Sequence, residues 1–155
     1  MGLVADIKHS TICLDTAPVI YYIEKNVKYL PSLNPLFQLI DSGELVAITT
    51  NITLLEVMVH PIRKGNRSLA ESYRNILLHS DGFTTYEITH ELAEYASGLR
   101  AEYNIRTPDA IQISAAILYG DGVLITRRLC KTVFLPNLFV IGILKSSHMI
   151  NMLWF

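Results

Sequence analysis

Three acidic residues stand where an α/β fold would present side chains to a ligand. Asp15 ends a short apolar strand, Glu56 lies in the first turns of the helix after the second strand, and Asp109 lies in the first turn of a later helix. Ligands of open α/β sheets bind outside the carboxyl ends of the strands. Asp15 and Glu56 belong at that edge, and Asp109 joins them if its helix begins nearby. The spacing allows this convergence without requiring it.

Carboxylates at one edge of a sheet would suit a hard metal ion. Mg²⁺ and Mn²⁺ prefer oxygen ligands, and such an ion can orient water against a phosphodiester. Each acid also has an ordinary explanation from the sequence alone. Asp15 could be a turn or cap residue, Asp109 could be favoured by the helix dipole, and Glu56 could lie on an exposed helix face. The residues by themselves leave both interpretations open.

Five short apolar segments alternate with helical patterns along the chain. The predicted strands are residues 11–15, 45–49, 83–88, 123–126 and 138–143. This alternation predicts an α/β fold with three layers, in which helices cover both faces of a mainly parallel sheet of four or five strands. We expect the first strand to be central, because it is the most apolar and ends in Asp15.

The helix boundaries are predicted from capping and helix-breaking residues. Thr16 is expected to cap the first helix, and Asn34 to begin a second helix that ends at Gly43. Thr50 or Asn51 should cap a third helix, which Pro61 should close. Later helices are expected around residues 69–77, over 89–103 and from Thr107 to about Gly120.

Composition indicates a single domain and restricts the function classes. The chain has 155 residues, is 50% hydrophobic and has a formal net charge of −1, so a nucleic-acid substrate would need a local basic patch or a metal. No apolar run is long enough for a membrane span, and the N-terminus lacks a signal core, which predicts a soluble cytoplasmic protein. The sequence contains no glycine-rich phosphate loop and no zinc-ligand spacing, and Ala17 excludes the two-aspartate motif of haloacid-dehalogenase-type phosphatases.

Three segments resemble the motifs of the PIN-domain family. Residues 14–21 have a strand-end Asp followed by Thr and a helix, residues 51–57 place a Glu on the helix after strand two, and residues 106–116 form the third and most specific motif. The resemblance covers about residues 11–144. It therefore implies one PIN-like domain over residues 1–144, and it leaves residues 145–155 as a C-terminal tail without a predicted role.

The resemblance also implies a function. It implies an Mg²⁺- or Mn²⁺-dependent endoribonuclease of the VapC-like toxin type, with RNA as substrate, an antitoxin protein as partner and a homodimeric state. The catalytic metal ligands would be Asp15, Glu56 and Asp109, supported by Thr16 and Thr126. We expect no membrane partner.

The sequence departs from the family pattern after the fourth strand. Relatives usually have Thr-Asn-Asp followed by basic residues, whereas this chain has Thr126-Arg127-Arg128. The Asn-Asp pair is either replaced by Arg127 and Arg128 or lost in a local gap before them, and we favour the gap because Arg-Arg-Leu often follows the pair in relatives. In both cases the fourth acid is missing, which predicts reduced activity, and Arg127 and Arg128 could contact phosphate oxygens instead. The alternative is a catalytically inactive PIN-like module that binds RNA or protein.

Overall fold

The computed structural model describes residues 7–127, 138–142 and 151–153, and these residues form an α/β fold around one six-stranded sheet. The strands are β1 (Thr11–Leu14), β2 (Val46–Thr50), β3 (Phe83–Tyr86), β4 (Val123–Thr126), β5 (Phe139–Gly142) and β6 (Asn151–Leu153). Their order is β3-β2-β1-β4-β5-β6. Strands β1 to β5 are parallel to one another and β6 is antiparallel to β5, which confirms the mainly parallel sheet.

Six helices occupy the described part of the chain. They are α1 (Thr16–Ile23), α2 (Leu30–Asp41), α3 (Asn51–Lys64), α4 (Arg67–His79), α5 (His90–Tyr103) and α6 (Thr107–Tyr119). None of these described helices is both long and apolar enough to cross a membrane.

The helices cover both faces of the sheet because side chains alternate along each strand. On β1, Ile12 and Leu14 belong to a core that includes side chains of α1 to α4. Cys13, between them, belongs to a second core built with α5 and α6. All three side chains are fully buried. The predicted three-layer α/β/α architecture is therefore confirmed.

Strand β1 is central, as predicted, and its neighbours set the edge at which the acids lie. Ile12 is in register with Ala47 of β2 on one side and with Val123 of β4 on the other. The backbone N–H of Asp15 continues the ladder by donating to the carbonyl of Ile125 at 2.9 Å. Asp15 therefore leaves the sheet beside the carboxyl end of β4.

Three predicted helix boundaries are wrong, each for a local reason. Helix α2 begins at Leu30 and not at Asn34, with a proline in its first turn, where a missing N–H costs nothing. Helix α3 continues past Pro61, which is buried, and ends at Lys64 before Gly65 in the left-handed conformation. The first helix is capped by Asp15 and not by Thr16, since the carboxylate of Asp15 accepts a hydrogen bond from the first helical N–H.

The C-terminal part of the described chain adds to the sheet. The predicted strand at residues 138–143 corresponds to β5, and Val140 on it is buried in the second core. Residues 151–153, in the predicted tail, form β6 and pair with β5. The division between domain and tail stays a prediction.

Candidate active site

A cleft of about 330 Å³ lies beside the carboxyl ends of β1 and β4. We call it the acid cleft, because all three predicted acids line it. Its lining residues are Asp15, Thr16, Ala17, Ile20, Tyr21, Glu56, Arg106, Pro108, Asp109, Thr126 and Arg127. The fold therefore brings the predicted acids, both supporting threonines and Arg127 together. Arg128, the other predicted phosphate contact, lies outside the described residues.

Asp15 is held by hydrogen bonds from two elements. Its Oδ1 accepts from the backbone N–H of Thr16 at 2.8 Å, and its Oδ2 accepts from the hydroxyl of Thr126 at 2.6 Å. Hydrogen bonds to an ionised carboxylate are stronger than neutral ones, so they fix its orientation. An ionised carboxylate has about four lone-pair positions, and two partners leave others for a ligand in the cleft.

Thr16 connects Asp15 to Glu56. Its backbone bonds to Asp15, and its hydroxyl donates to Oε2 of Glu56 on α3. Thr16 is buried whereas Glu56 is exposed, so the carboxylate of Glu56 lies at the cleft surface with a fixed inner partner. The prediction that Glu56 would face the same cleft as Asp15 thus agrees with the structure.

A buried polar network lies behind Thr16, and sequence reasoning missed it. The side-chain amide of Gln112 on α6 donates to the hydroxyl of Thr53 at 2.6 Å, and Thr49 donates to the same hydroxyl at 2.8 Å. The hydroxyl of Thr53 in turn lies 3.3 Å from that of Thr16. No buried side-chain nitrogen or oxygen of the described residues lacks a partner. The sequence feature that could have indicated this network is the polar Gln112 among the apolar residues at the start of α6.

Because the network is closed, opening it should cost stability. We expect Thr53→Val to lower the free energy of unfolding by about 1–3 kcal/mol, since partners on Gln112 and Thr49 lose a buried acceptor. Adding Gln112→Met should restore part of that loss, because two apolar groups then replace both partners. Urea unfolding of the single and double variants measures this coupling. If the loss of unfolding free energy in the double variant equals the sum of the losses in the two single variants, the side chains are not coupled and the network is contradicted.

Asp109 is paired with an arginine from the turn before its helix. Arg106 donates from Nε to Oδ2 at 2.8 Å and from Nη2 to Oδ1 at 3.0 Å, so each carboxylate oxygen has one arginine partner. The pKa of Arg106 is raised, first by these hydrogen bonds and the charge of Asp109, and further by the charges of Asp15 and Glu56. Arg106 is thus a cation close enough to interact with all three acids. The sequence analysis did not identify it as a site residue.

The donor set suits a hard divalent cation, but its side chains are bound to protein partners. Three carboxylates line the cleft, which is the chemistry that Mg²⁺ and Mn²⁺ require. In the ranges that the structure describes, no three His, Cys, Asp or Glu side chains are already grouped as a metal site. The guanidinium of Arg106 lies against Asp109, so its positive charge opposes a cation that Asp109 would share with Asp15 and Glu56.

We therefore expect Arg106 to compete with a metal for Asp109. Arg106→Gln removes this competitor and a positive charge, so Mn²⁺ should bind more tightly, by at most about fivefold for a pair this exposed. Isothermal titration calorimetry with Mn²⁺ measures the change. Arg74→Gln, an exposed arginine on α4 outside the cleft, is the matched control. Equal affinities for both variants would show that Arg106 does not oppose the metal.

Comparison with known proteins places this fold and cleft in a family. The PIN domain family matches residues 12–127, which is well over half of the chain. A comparison with curated proteins gives no match. The acid cleft falls within the matched residues, since its lining runs from Asp15 to Arg127.

Two solved structures have a similar fold. One is a chain of a toxin-antitoxin complex from Klebsiella pneumoniae, with 22% identity and a TM-score of 0.63 over 87% of this chain and 99% of that chain. The other belongs to VapBC2 from Rickettsia felis bound to a DNA fragment from their promoter, with 20% identity and a TM-score of 0.64 over 84% of this chain and 96% of that chain. At these identities the likeness supports the fold, while the match to residues 12–127 decides the family. The chain belongs to the PIN domain family.

Proposed function

We propose that this chain is a metal-dependent endoribonuclease, a VapC-like toxin acting in the cytoplasm, with activity reduced by the missing fourth acid. The observation that supports this most is the acid cleft. Asp15, Glu56 and Asp109 occur in the order of the three family motifs, and all line the same cavity. Two arginines that could meet a phosphodiester, Arg106 and Arg127, line it as well.

The metal would be Mg²⁺ or Mn²⁺, held by Asp15, Glu56 and Asp109. When bound, such an ion orients and activates water and stabilises the charge that develops on a phosphodiester. The protein contributes the placement of its own groups. Thr16 and Thr126 hold Asp15, and Thr16 also holds Glu56, so these two carboxylates keep one orientation while a substrate enters.

The arginines would hold the substrate. Arg127 donates from Nη1 to the hydroxyl of Tyr21 at 3.0 Å, which leaves its other guanidinium hydrogens to meet phosphate oxygens. Once Arg106 has released Asp109, its planar guanidinium can bind a phosphate in the same two-pronged way. In this proposal Arg106 therefore changes partners from the protein carboxylate to the RNA.

The second candidate is a PIN-like module that binds RNA or protein without cutting. Two observations favour it: the fourth acid of the family is missing after Thr126, and Asp109 is already paired with Arg106. An endonuclease assay separates the two candidates. End-labelled RNA incubated with Mn²⁺ should yield internal cleavage products that disappear with excess chelator. An intact substrate at high enzyme and Mn²⁺ concentration would favour the binding module.

We also propose an antitoxin partner and a homodimer. The supporting observation for the antitoxin is that the similar structure from Klebsiella pneumoniae is a toxin-antitoxin complex. Exposed apolar side chains on α3 give a protein partner a surface to cover: Leu55, Val59 and Ile62 recur at helical spacing, with 62%, 44% and 66% of their surface exposed. Light scattering of the purified chain tests the dimer.

A further inference from the structure

We infer that a second cavity beside the acid cleft is a nucleotide-binding subsite for single-stranded RNA. This inference rests on the proposed function, because it assigns the place where RNA next to the cleaved bond would lie. We call it the basic cavity. Its volume is about 470 Å³, and the lining residues used here are Tyr21, Lys25, Lys28, Tyr29 and Arg127.

The two cavities share a wall. Tyr21 and Arg127 line both of them, and their side chains are joined by the hydrogen bond from Arg127 to the tyrosine hydroxyl. A bound strand could therefore pass from one cavity to the other over this pair. The basic cavity extends from the pair along residues 25–29, in the turn between α1 and α2.

The basic cavity differs in charge from the protein as a whole. The whole chain has a net charge of −1, yet the described residues that line this cavity include Lys25, Lys28 and Arg127 and no Asp or Glu. Both lysines are exposed and able to reach a ligand. Because phosphates are the usual partners of such a patch in a nucleic-acid-binding protein, the cavity supplies the local basic surface that the overall composition lacks.

An aromatic pair adds a stacking surface. The rings of Tyr21 and Tyr29 stack, with centroids 4.1 Å apart and planes within 5°. Tyr29 is buried with only 6% of its surface exposed, whereas Tyr21 is half-buried at the junction of the cavities. Tyr29 and Arg127 together fix the ring of Tyr21, so a base could stack there with little loss of side-chain freedom.

This combination favours an unpaired strand over other polyanions. In duplex RNA the bases are already stacked on one another and not available to a protein ring, so proteins stack aromatic side chains on unpaired bases. An acidic peptide could use the lysines but would gain nothing from the tyrosine ring. A dependence on both lysines and ring thus distinguishes single-stranded RNA from duplex RNA and from a peptide.

The test is binding of a fluorescein-labelled short oligouridylate to the full chain, measured by anisotropy with a chelator present so that no cleavage occurs. Tyr21→Ala should weaken binding by roughly 5- to 150-fold, as loss of one stacked base does. The double variant Lys25→Ala/Lys28→Ala should lower the slope of log affinity against log salt by about 1.4, or about 0.7 for each lost phosphate contact.

Matched controls keep the result specific. Tyr21→Phe retains the ring and should bind far better than Tyr21→Ala. Arg63→Ala/Lys64→Ala removes two positive charges at the end of α3, outside the lining of both cavities, and should leave the salt slope nearly unchanged. Circular dichroism spectra that match the parent show that each variant folds.

The inference is overturned if Tyr21→Ala binds like the parent, if both double variants lose the same slope, or if duplex RNA or a polyglutamate peptide competes as well as oligouridylate. A peptide that competes through the lysines alone would assign the cavity to a protein partner. Cleavage is measured separately with Mn²⁺. If RNA binding depends on the ring and the lysines but no cleavage occurs, the nuclease proposal is wrong and the subsite stands. If cleavage occurs and these variants do not affect it, the nuclease proposal stands and the subsite is wrong.

Discussion

Replacing Asp15 with Asn should abolish Mn²⁺-dependent cleavage of RNA, with a loss of at least about 100-fold, and remove the rise in melting temperature that Mn²⁺ produces. Loss of a group that merely supports a metal ligand costs about 10–100-fold, so loss of a direct carboxylate ligand should cost more. Asn caps a helix as well as Asp does, so α1 should persist. Cleavage assays and thermal melts with and without Mn²⁺ measure both effects.

Asp81→Asn is the matched control for this variant. Asp81 is exposed in the turn before β3 and does not line the acid cleft, so the same change of one carboxylate there should leave cleavage and the Mn²⁺-induced shift intact. A ligand that binds only the folded state raises its stability, and therefore the shift reports metal binding apart from chemistry. Equal shifts in Asp15→Asn and the parent would remove Asp15 from the metal site.

Inserting Asn-Asp between Thr126 and Arg127 should raise Mn²⁺ affinity and RNA cleavage together, each by about 10–100-fold. The insertion point is at the cleft, because Thr126 donates to Asp15 and Arg127 lines the same cavity. The new carboxylate would therefore enter beside the existing acids and restore the family pattern. Calorimetry with Mn²⁺ and cleavage of labelled RNA follow the two effects.

The control for the insertion is Asn-Asn at the same place. It moves Arg127 by the same two residues, and so breaks the same hydrogen bond to Tyr21, without adding a charge. A gain limited to Asn-Asp assigns the effect to the carboxylate. Tighter metal binding without cleavage would favour the binding module, and no metal binding by either variant would contradict the nuclease proposal for this chain.

The fold could be predicted from the sequence because its strands are short, apolar and separated by helical patterns. The central place of β1 followed from its apolar residues and its terminal acid. The helix ends were harder to predict, because a proline can begin a helix, end it or lie within it. Pro35 lies inside α2 and Pro61 inside α3, where the apolar faces of those helices are buried despite the missing N–H groups. A proline in the first turn set the start of α2, and the burial of Pro61 let α3 continue to Lys64.

The acids of the site could be predicted, but most of their partners could not. Asp15, Glu56 and Asp109 belong to recognisable motifs at the ends of elements, whereas Gln112 reaches Thr53 from a helix on the other face of the sheet. No sequence spacing encodes such a contact. The basic cavity was also missed, because Lys25 and Lys28 lie in an irregular turn and meet Arg127 only through the fold.

The central place of β1 also determines when the cleft can exist. Strand β1 pairs with β4, and the hydroxyl that holds Asp15 comes from Thr126, 111 residues later in the chain. Contacts between residues so distant in sequence form slowly, and a ribosome extends the chain by only about 5–20 residues per second. A nascent chain that has not reached β4 therefore lacks one of the two neighbours of β1 and the threonine hydroxyl that holds Asp15. If the proposed toxin activity is correct, the nascent protein cannot cleave RNA at the ribosome that synthesises it until nearly the whole domain has emerged.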